Sequence, residues 1–359
     1  MKIATILGCR PEIIRLSRII PKLDNLLEKN HILIHTGQNY NPKLSNIFFK
    51  ELSIRQPNYY LGVRGCMGKQ IAMILEKVEK SLIVEKPDKI IILGDTNSGL
   101  SSIIAEKMQI PVYHLEAGNR CFDNEVPEEI NRKIIDHVSS YNLPYTPKSR
   151  DNLIKEGISL NKIFVSGNPI KEVLTYYSDK INNSLIINIL NLKSQKYFLS
   201  TFHRSECVDN PIRLKEIIDG LNKIANYYQF PIIVSTHPRT RSKLNKNYKI
   251  SSYIKFLDPF KFFDFVKLEK NALCVLSDSG TVSEETCILH IPNIIIRNTT
   301  ERPETLEVGS SILSGINSNN IFNSTKIILS NSREWKLPQG YDENNVSQII
   351  INILLSKGV

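Results

Sequence analysis

The sequence predicts an α/β protein made of two doubly wound domains that face each other across a cleft. Three observations lead there. Short apolar runs alternate with helix-period segments along nearly the whole chain, which is the pattern of parallel strands joined by helices. Polar residues gather directly after the apolar runs, at the edge where open parallel sheets hold their ligands. Finally, 359 residues exceed what one ordinary core accommodates, so two domains are expected.

The chain opens on an apolar strand, Lys2 to Leu7, followed by the turn Gly8-Cys9-Arg10-Pro11-Glu12. Pro11 suits a first helical position, and Ile13, Leu16, Ile20, Leu23 and Leu27 recur at helical spacing, so one helix is expected through this stretch. Arg10 and Arg15 fall near its start, where two guanidinium groups can clamp an anion. A second strand, Ile32 to His35, ends in Thr36-Gly37-Gln38-Asn39-Tyr40. The helix Gln70 to Glu85 then leads to strand Lys89 to Leu93, which delivers Asp95 to the carboxyl edge of the sheet. Asp95 alone would equally serve as a helix N-cap.

Strand Val112 to Leu115 brings Glu116 to the same edge, where a buried carboxylate is costly unless paired. Pro127 opens another helix with Glu128 in its first turn and Arg132 one turn on, either a functional pair or an ordinary surface pair at i,i+4. Asp95, Glu116 and Glu128 together form a more specific signal, because clustered carboxylates push their pKa values apart and suit acid/base work. A strand Ile163 to Val165 and a helix Ile170 to Tyr177 complete the first domain, residues 1–178.

The second domain, 179–340, repeats the pattern: strands Tyr197 to Ser200, Pro231 to Val234 and Ile254 to Leu257, with helices Pro211 to Tyr228 and Phe260 to Leu268. His203 and Arg204 follow its first strand. Its strongest stretch is Ala272 to Glu304, a strand, a turn Ser277-Asp278-Ser279-Gly280, a helix and a second apolar run. Backbone N–H groups at such a helix start suit a phosphate, and a carboxylate one turn later, Glu284 or Glu285, can accept two ribose hydroxyls. Phe262, Phe263 and Phe265 read as core packing, with room for one to face a base. Helices are expected at Asn319 to Leu329 and Val346 to Leu355, and the last segment, 341–359, is expected to pack back on the first domain.

Composition narrows the class. Hydrophobic content of 41% with 23% charged residues fits a soluble globular chain, and the +10 net charge is dispersed rather than gathered in a basic run. Nucleic acid and membrane partners are therefore not expected, and an anionic small substrate is. Six cysteines show neither a CxxC pair nor zinc spacing, which points to reduced thiols and a cytoplasmic setting with no metal site.

Taken together, GCRPE (8–12), HTGQNY (35–40), LGDTNS (93–98), HLEAGNR (114–120), VPEEINR (126–132), FHR (202–204), SDSGTVSEE (277–285) and TERPE (300–304) resemble the non-hydrolysing UDP-N-acetylglucosamine 2-epimerase family. That resemblance implies two Rossmann-like domains of glycosyltransferase B type. EAGNRCFD, STHPRTR and SDSGT are most similar to its branch that forms UDP-N-acetyl-L-fucosamine from UDP-2-acetamido-2,6-dideoxy-L-talose, for surface polysaccharide precursors. Arg15, Asn39 and Thr281 stand where many members carry Lys, His and Gly. They turn the expected substrate away from UDP-N-acetylglucosamine, which is kept as the alternative beside a glycosyltransferase.

Residue by residue, the resemblance implies acid/base roles for Asp95, Glu116 and Glu128, assisted by Arg132 and His203. It implies UDP-sugar binding by Arg10, Arg15, His203, Arg204, Ser279, Gly280, Thr281, Glu285 and Arg302. It also implies elimination of UDP to a 2-acetamidoglycal followed by re-addition, without metal or nicotinamide. A homodimer is expected.

Overall fold

The computed structural model describes residues 1–38, 42–244 and 248–356, and the side chains of 42–46 also lie outside it. Asn39 and Tyr40 of the HTGQNY motif are therefore outside the described residues. The chain divides into two compact units, Met1–Tyr176 with Gln339–Val359, and Tyr177–Pro338.

Unit 1 is built on a parallel sheet of β1 (Ile3–Leu7), β2 (His31–His35), β3 (Tyr59–Tyr60), β4 (Lys89–Leu93), β5 (Val112–Leu115) and β6 (Tyr141–Leu143). Its order is β3-β2-β1-β4-β5-β6. The central strands are continuous apolar runs because helices cover both faces of the sheet. Ala4, Ile6, Ile32, Ile34, Ile90, Ile92 and Val112 pack with Ile74, Val78 and Leu82 of the helix Met67–Glu85 into one core cluster.

Unit 2 carries β7 (Phe198–Thr201), β8 (Ile232–Ser235), β9 (Ile254–Leu257), β10 (Cys274–Ser277), β11 (Asn293–Ile295) and β12 (Ser311–Leu313). The order is β12-β11-β10-β7-β8-β9, again parallel. Counted from the first strand of each unit, both sheets have the doubly wound order 3-2-1-4-5-6. Two Rossmann-like α/β domains are thus present, as the sequence predicts.

In each unit the strand order reverses between the first and fourth strands, β1 and β4 in one and β7 and β10 in the other. A crevice for a ligand opens outside the carboxyl ends of such a pair. At Gly8, directly after β1, a Cβ would collide with the hydroxyls of Thr36 and Ser98, so only glycine lets these loops close together.

Two expectations need correction, and three short strands were not expected. The helix expected from Pro11 to Leu27 is two helices, Arg10–Leu16 and Ile19–Leu27. Pro21 has no N–H to give the carbonyl of Ser17, and its ring crowds that carbonyl, so the chain breaks there. The strand expected at Ile163 to Val165 reduces to a single bridge between Asn142 and Ile163. Pro144 on the facing segment cannot donate to a ladder. The short strands β3, β6 and β12, all with polar or aromatic residues, carry too little periodicity to be seen in advance.

The last segment closes on unit 1. Val346, Ile350, Ile351 and Leu354 of the helix Val346–Leu355 are buried, and Glu172 accepts the Ser347 N–H at 2.8 Å. Lys89 Nζ donates to the Leu354 carbonyl at 2.6 Å. No described helix is long and apolar enough to cross a membrane.

Candidate active site

The crevice edge of unit 1 is stitched by a glutamate that the sequence reading leaves without a role. Glu12 is buried, and one carboxylate oxygen accepts the backbone N–H groups of Gly8 and Cys9, at 2.5 and 3.1 Å. The other accepts the Thr96 hydroxyl at 2.7 Å, joining the loops after β1 and β4. Burial raises the Glu12 pKa despite these bonds, since none of these three partners carries charge.

Asp95 sits on the loop after β4. It does not cap the turn that follows: Thr96 does, its side chain accepting from Ser98 N. Asp95 instead receives Arg132, whose Nη2 and Nε reach one carboxylate oxygen at 2.5 and 3.2 Å. Withdrawal from solvent raises the Asp95 pKa, Arg132 pulls it down, and the charges of Glu116 and Glu128 push it up again. All three sequence-predicted carboxylates therefore share one electrostatic site.

Glu116 ends β5 with a left-handed backbone, φ 69°, unusual for a residue with a long side chain. Its carboxylate is ion-paired with Arg15 and lies within 3.4 Å of the Asn119 amide nitrogen. Arg15 is buried, and this pairing places it beside an acid rather than on the surface. Arg10 lies at the helix start with its guanidinium 4.8 Å from the Phe48 ring centre.

The helix Pro127–Val138 supplies Glu128, Glu129 and Arg132. Glu129, not singled out from sequence, is fully buried. It accepts from Arg132 Nη1 at 2.6 Å, Cys121 N at 3.1 Å and Phe122 N at 3.0 Å. Burial opposes its ionisation, but the Cys121 N–H and the Arg132 charge outweigh that and hold its carboxyl below the usual range. The signal available beforehand was its place three residues before Arg132, on the same helix face.

Beneath these loops His114 and Arg120, the ends of the HLEAGNR motif, converge on Asp136. His114 Nδ1 and Asp136 Oδ1 are 2.8 Å apart, and Arg120 Nη1 donates to Asp136 Oδ2 at 2.7 Å. The Gly118 N–H donates to the same oxygen at 3.1 Å, so these motif residues form the foundation of the Glu116 loop.

In unit 2 the corresponding crevice is stitched by Asp278 at the end of β10. One of its oxygens accepts the backbone N–H groups of both His203 and Arg204, each at 2.8 Å. This fixes the loop after β7. The His203 ring is partly exposed and stacks on His237 at 4.9 Å.

The helix Gly280–Ile288 begins beside this loop, and Ser279, its N-cap, makes no side-chain capping bond. Ser279 and Thr281 are half-buried. At Gly280 an added Cβ would come within 2.5 Å of the Glu301 carboxylate, which would have to shift to admit it. Glu301 in turn accepts from Arg297 Nη1 at 2.8 Å and from Arg204 Nη2 at 3.3 Å. Arg302 is buried and its Nε binds Glu284, and Glu285, next to it, is also buried. Phe262 and Phe265 are core residues, and Phe263 packs on Tyr177 at 5.3 Å.

A helix start with N–H groups, arginines and a histidine at one switch point suits a diphosphate. A cluster of carboxylates at the other suits proton transfer. Among the described residues no cluster of metal-ligating side chains occurs.

Residues 22–355 match the family model described as UDP-N-acetylglucosamine 2-epimerase. A curated protein of that name from Methanocaldococcus jannaschii is 44% identical over 357 residues, covering 95% of each chain. Another, from Methanococcus maripaludis, is 40% identical with 99% of each covered. The crystal structure of the Methanocaldococcus jannaschii UDP-GlcNAc 2-epimerase in complex with UDP-GlcNAc and UDP superposes with a TM-score of 0.93, at 41% identity over 99% of each chain. A UDP-2,3-diacetamido-2,3-dideoxy-D-glucuronate 2-epimerase from Pseudomonas aeruginosa is 33% identical, covering 88% of each. These likenesses favour the N-acetylglucosamine epimerases over the L-fucosamine branch that the sequence details suggest. The chain belongs to the UDP-N-acetylglucosamine 2-epimerase family and is an isomerase, a non-hydrolysing UDP-sugar 2-epimerase.

Proposed function

We propose that the substrate is UDP-N-acetylglucosamine and the product its C2 epimer, UDP-N-acetylmannosamine. The observation that carries the chemistry is Asp95 held by Arg132 with the charges of Glu116 and Glu128 acting on it, which brings three carboxyl groups to one site. The relatives named for this activity support the choice of sugar.

Carbon 2 of the sugar bears no acidic proton, so its removal must accompany departure of the C1 substituent. One carboxylate takes the C2 proton, the electron pair forms the C1–C2 double bond, and the C1–oxygen pair leaves with UDP. The products of this half-reaction are a 2-acetamidoglycal and UDP. A second carboxylic acid then protonates carbon 2 from the opposite face while UDP adds back to carbon 1. Asp95, Glu116 and Glu128 are assigned to these proton transfers. His203, Arg204, the N–H groups around Ser279, Gly280 and Thr281, and Arg302 are assigned to the diphosphate, whose charge grows as it leaves. Glu285 is assigned to the ribose. Arg10 is assigned to the substrate, and Arg15 to orienting Glu116.

The second reading keeps the chemistry and changes the sugar to UDP-2-acetamido-2,6-dideoxy-L-talose, on the strength of EAGNRCFD, STHPRTR and SDSGT. Both sugar nucleotides are to be incubated with the enzyme in heavy water. Deuterium at C2 of the product is expected, together with migration of an oxygen-18 label from the bridging to the non-bridging positions of the sugar-linked phosphate. The relative kcat/KM decides the sugar. Turnover of neither would reject both readings, and product without C2 deuterium would reject the carboxylate mechanism.

A further inference from the structure

Glu129 makes two sets of contacts at once. Its Oε2 takes Arg132 Nη1 at 2.6 Å, and Arg132 carries through Nη2 to Asp95 at 2.5 Å. Its Oε1 takes the N–H of Phe122 at 3.0 Å, while Oε2 also takes the N–H and thiol of Cys121, at 3.1 and 3.2 Å. Phe122 has a left-handed backbone, φ 55°, and its side chain is 74% exposed. A bulky residue is strained in this conformation and persists there only where its surroundings impose it. The Glu129 carboxylate is such a constraint.

We propose that Glu129 is a positioning residue for the epimerisation, holding Arg132 against Asp95 and, with the same carboxylate, fixing the Cys121-Phe122 loop beside them. The inference rests on the acid/base roles assigned to unit 1 above. A surface ion pair could not do this, because a guanidinium on a flexible stem needs its other nitrogens fixed before it presents a defined edge to Asp95. Full burial of Glu129 removes competition from water, and its two loop N–H bonds set where the carboxylate lies. The charged groups coupled to Asp95 are then Arg132, Glu116 and Glu128, with the Cys9 thiol also within electrostatic reach of it. Of these Arg132 alone is positive, and it opposes burial and the two carboxylates in favouring the ionised form of Asp95.

The test is a double-mutant cycle on the full chain with Glu129→Gln and Arg132→Lys, read as kcat and KM with the UDP-sugar that the wild type turns over. Glu129→Gln is expected to lower kcat by at least about tenfold with KM changed less than about twofold. The double variant is expected to lose no more than Arg132→Lys alone, because both changes break one relay. A purely structural role would reduce the fraction of folded enzyme, and its losses would multiply with those of Arg132→Lys. Glycal escape gives a second readout: misplacement of the Arg132–Asp95 pair should raise the amount of UDP and 2-acetamidoglycal released per epimer formed, which loss of folded molecules leaves unchanged. If Glu129→Gln does not fold, Glu129→Asp, which keeps the charge but draws it back, takes its place with the same expected pattern. An active wild type with multiplying losses, or with kcat of the Glu129 variant within about twofold, overturns this inference alone. A wild type that incorporates no C2 deuterium from either sugar overturns the proposed function and this inference with it.

Discussion

The Glu12 carboxylate accepts the Thr96 hydroxyl at 2.7 Å, linking the helix after β1 to the loop after β4 across the point where the sheet order reverses. Asp278 does the same service in unit 2 through the N–H groups of His203 and Arg204. Each domain thus closes its crevice with a buried acid that is itself stitching. The acids assigned to chemistry and the acids that hold loops are different residues.

The Glu12 arrangement has a measurable signature. Its folded-state pKa is raised, so the folded chain holds the proton more tightly than the unfolded one. The stabilising contribution is then complete below the unfolded value of about 4.3 and fades as pH rises through the folded pKa. Glu12→Gln keeps acceptors for Gly8 and Cys9 and removes the buried charge. Denaturation curves for the two proteins are expected to diverge in favour of glutamine as pH rises, and parallel curves would show that the carboxylate is not strained by burial.

Asp136 should behave in the opposite sense. Burial disfavours its charge, but His114 and Arg120 outweigh burial and hold the carboxyl below its usual range. Its contribution is present above the unfolded pKa and is lost as pH falls through the lowered folded one. Asp136→Asn removes one partner of Arg120, which keeps Glu156, and is expected to cost roughly 1.5 to 3 kcal/mol in urea unfolding at neutral pH, the usual loss of a buried hydrogen bond to a charged group. A smaller change than about 1 kcal/mol would mean that Glu156 alone suffices for Arg120.

For the reaction, Asp95→Asn, Glu116→Gln and Glu128→Gln are each expected to lower kcat by roughly a hundredfold or more while UDP affinity stays near that of the wild type. Steady-state turnover and UDP calorimetry on the same preparations separate the two effects. Any of the three that turns over at the normal rate is a structural carboxylate.

Glu285→Gln removes the charge assigned to the ribose hydroxyls, and a loss of about 1.5 to 3 kcal/mol in UDP binding is expected. Titration calorimetry with UDP and with 2′-deoxy-UDP checks it. Equal losses for both nucleotides would place Glu285 elsewhere than at the 2′ hydroxyl.

Much of this architecture is legible in the sequence, because buried parallel strands are unbroken apolar runs and their carboxyl ends announce themselves by polar residues. Asp95, Glu116 and Glu128 could be grouped on that ground alone. Glu12, Glu129 and Asp278 could not be given their work, since a carboxylate that accepts backbone N–H groups has no spacing rule that distinguishes it from a solvated one. Arg15 was legible as cationic and near Arg10, but its partner Glu116 is 101 residues away in sequence, and local pattern carries no such information. The choice between sugars lay beyond both composition and periodicity, for it depends on a few hydroxyl contacts.

Because Val346–Leu355 completes unit 1 while Tyr177–Pro338 lies wholly before it, the two units are finished in the reverse of the order in which they are begun. On the ribosome the whole of unit 2 emerges while unit 1 still lacks the helix that packs on Ile19–Leu27. The earlier part of unit 1 must therefore remain incompletely closed while residues 177–338 are translated. Stalling synthesis just short of Val346 is expected to yield a chain whose unit 2 resists protease and whose unit 1 does not.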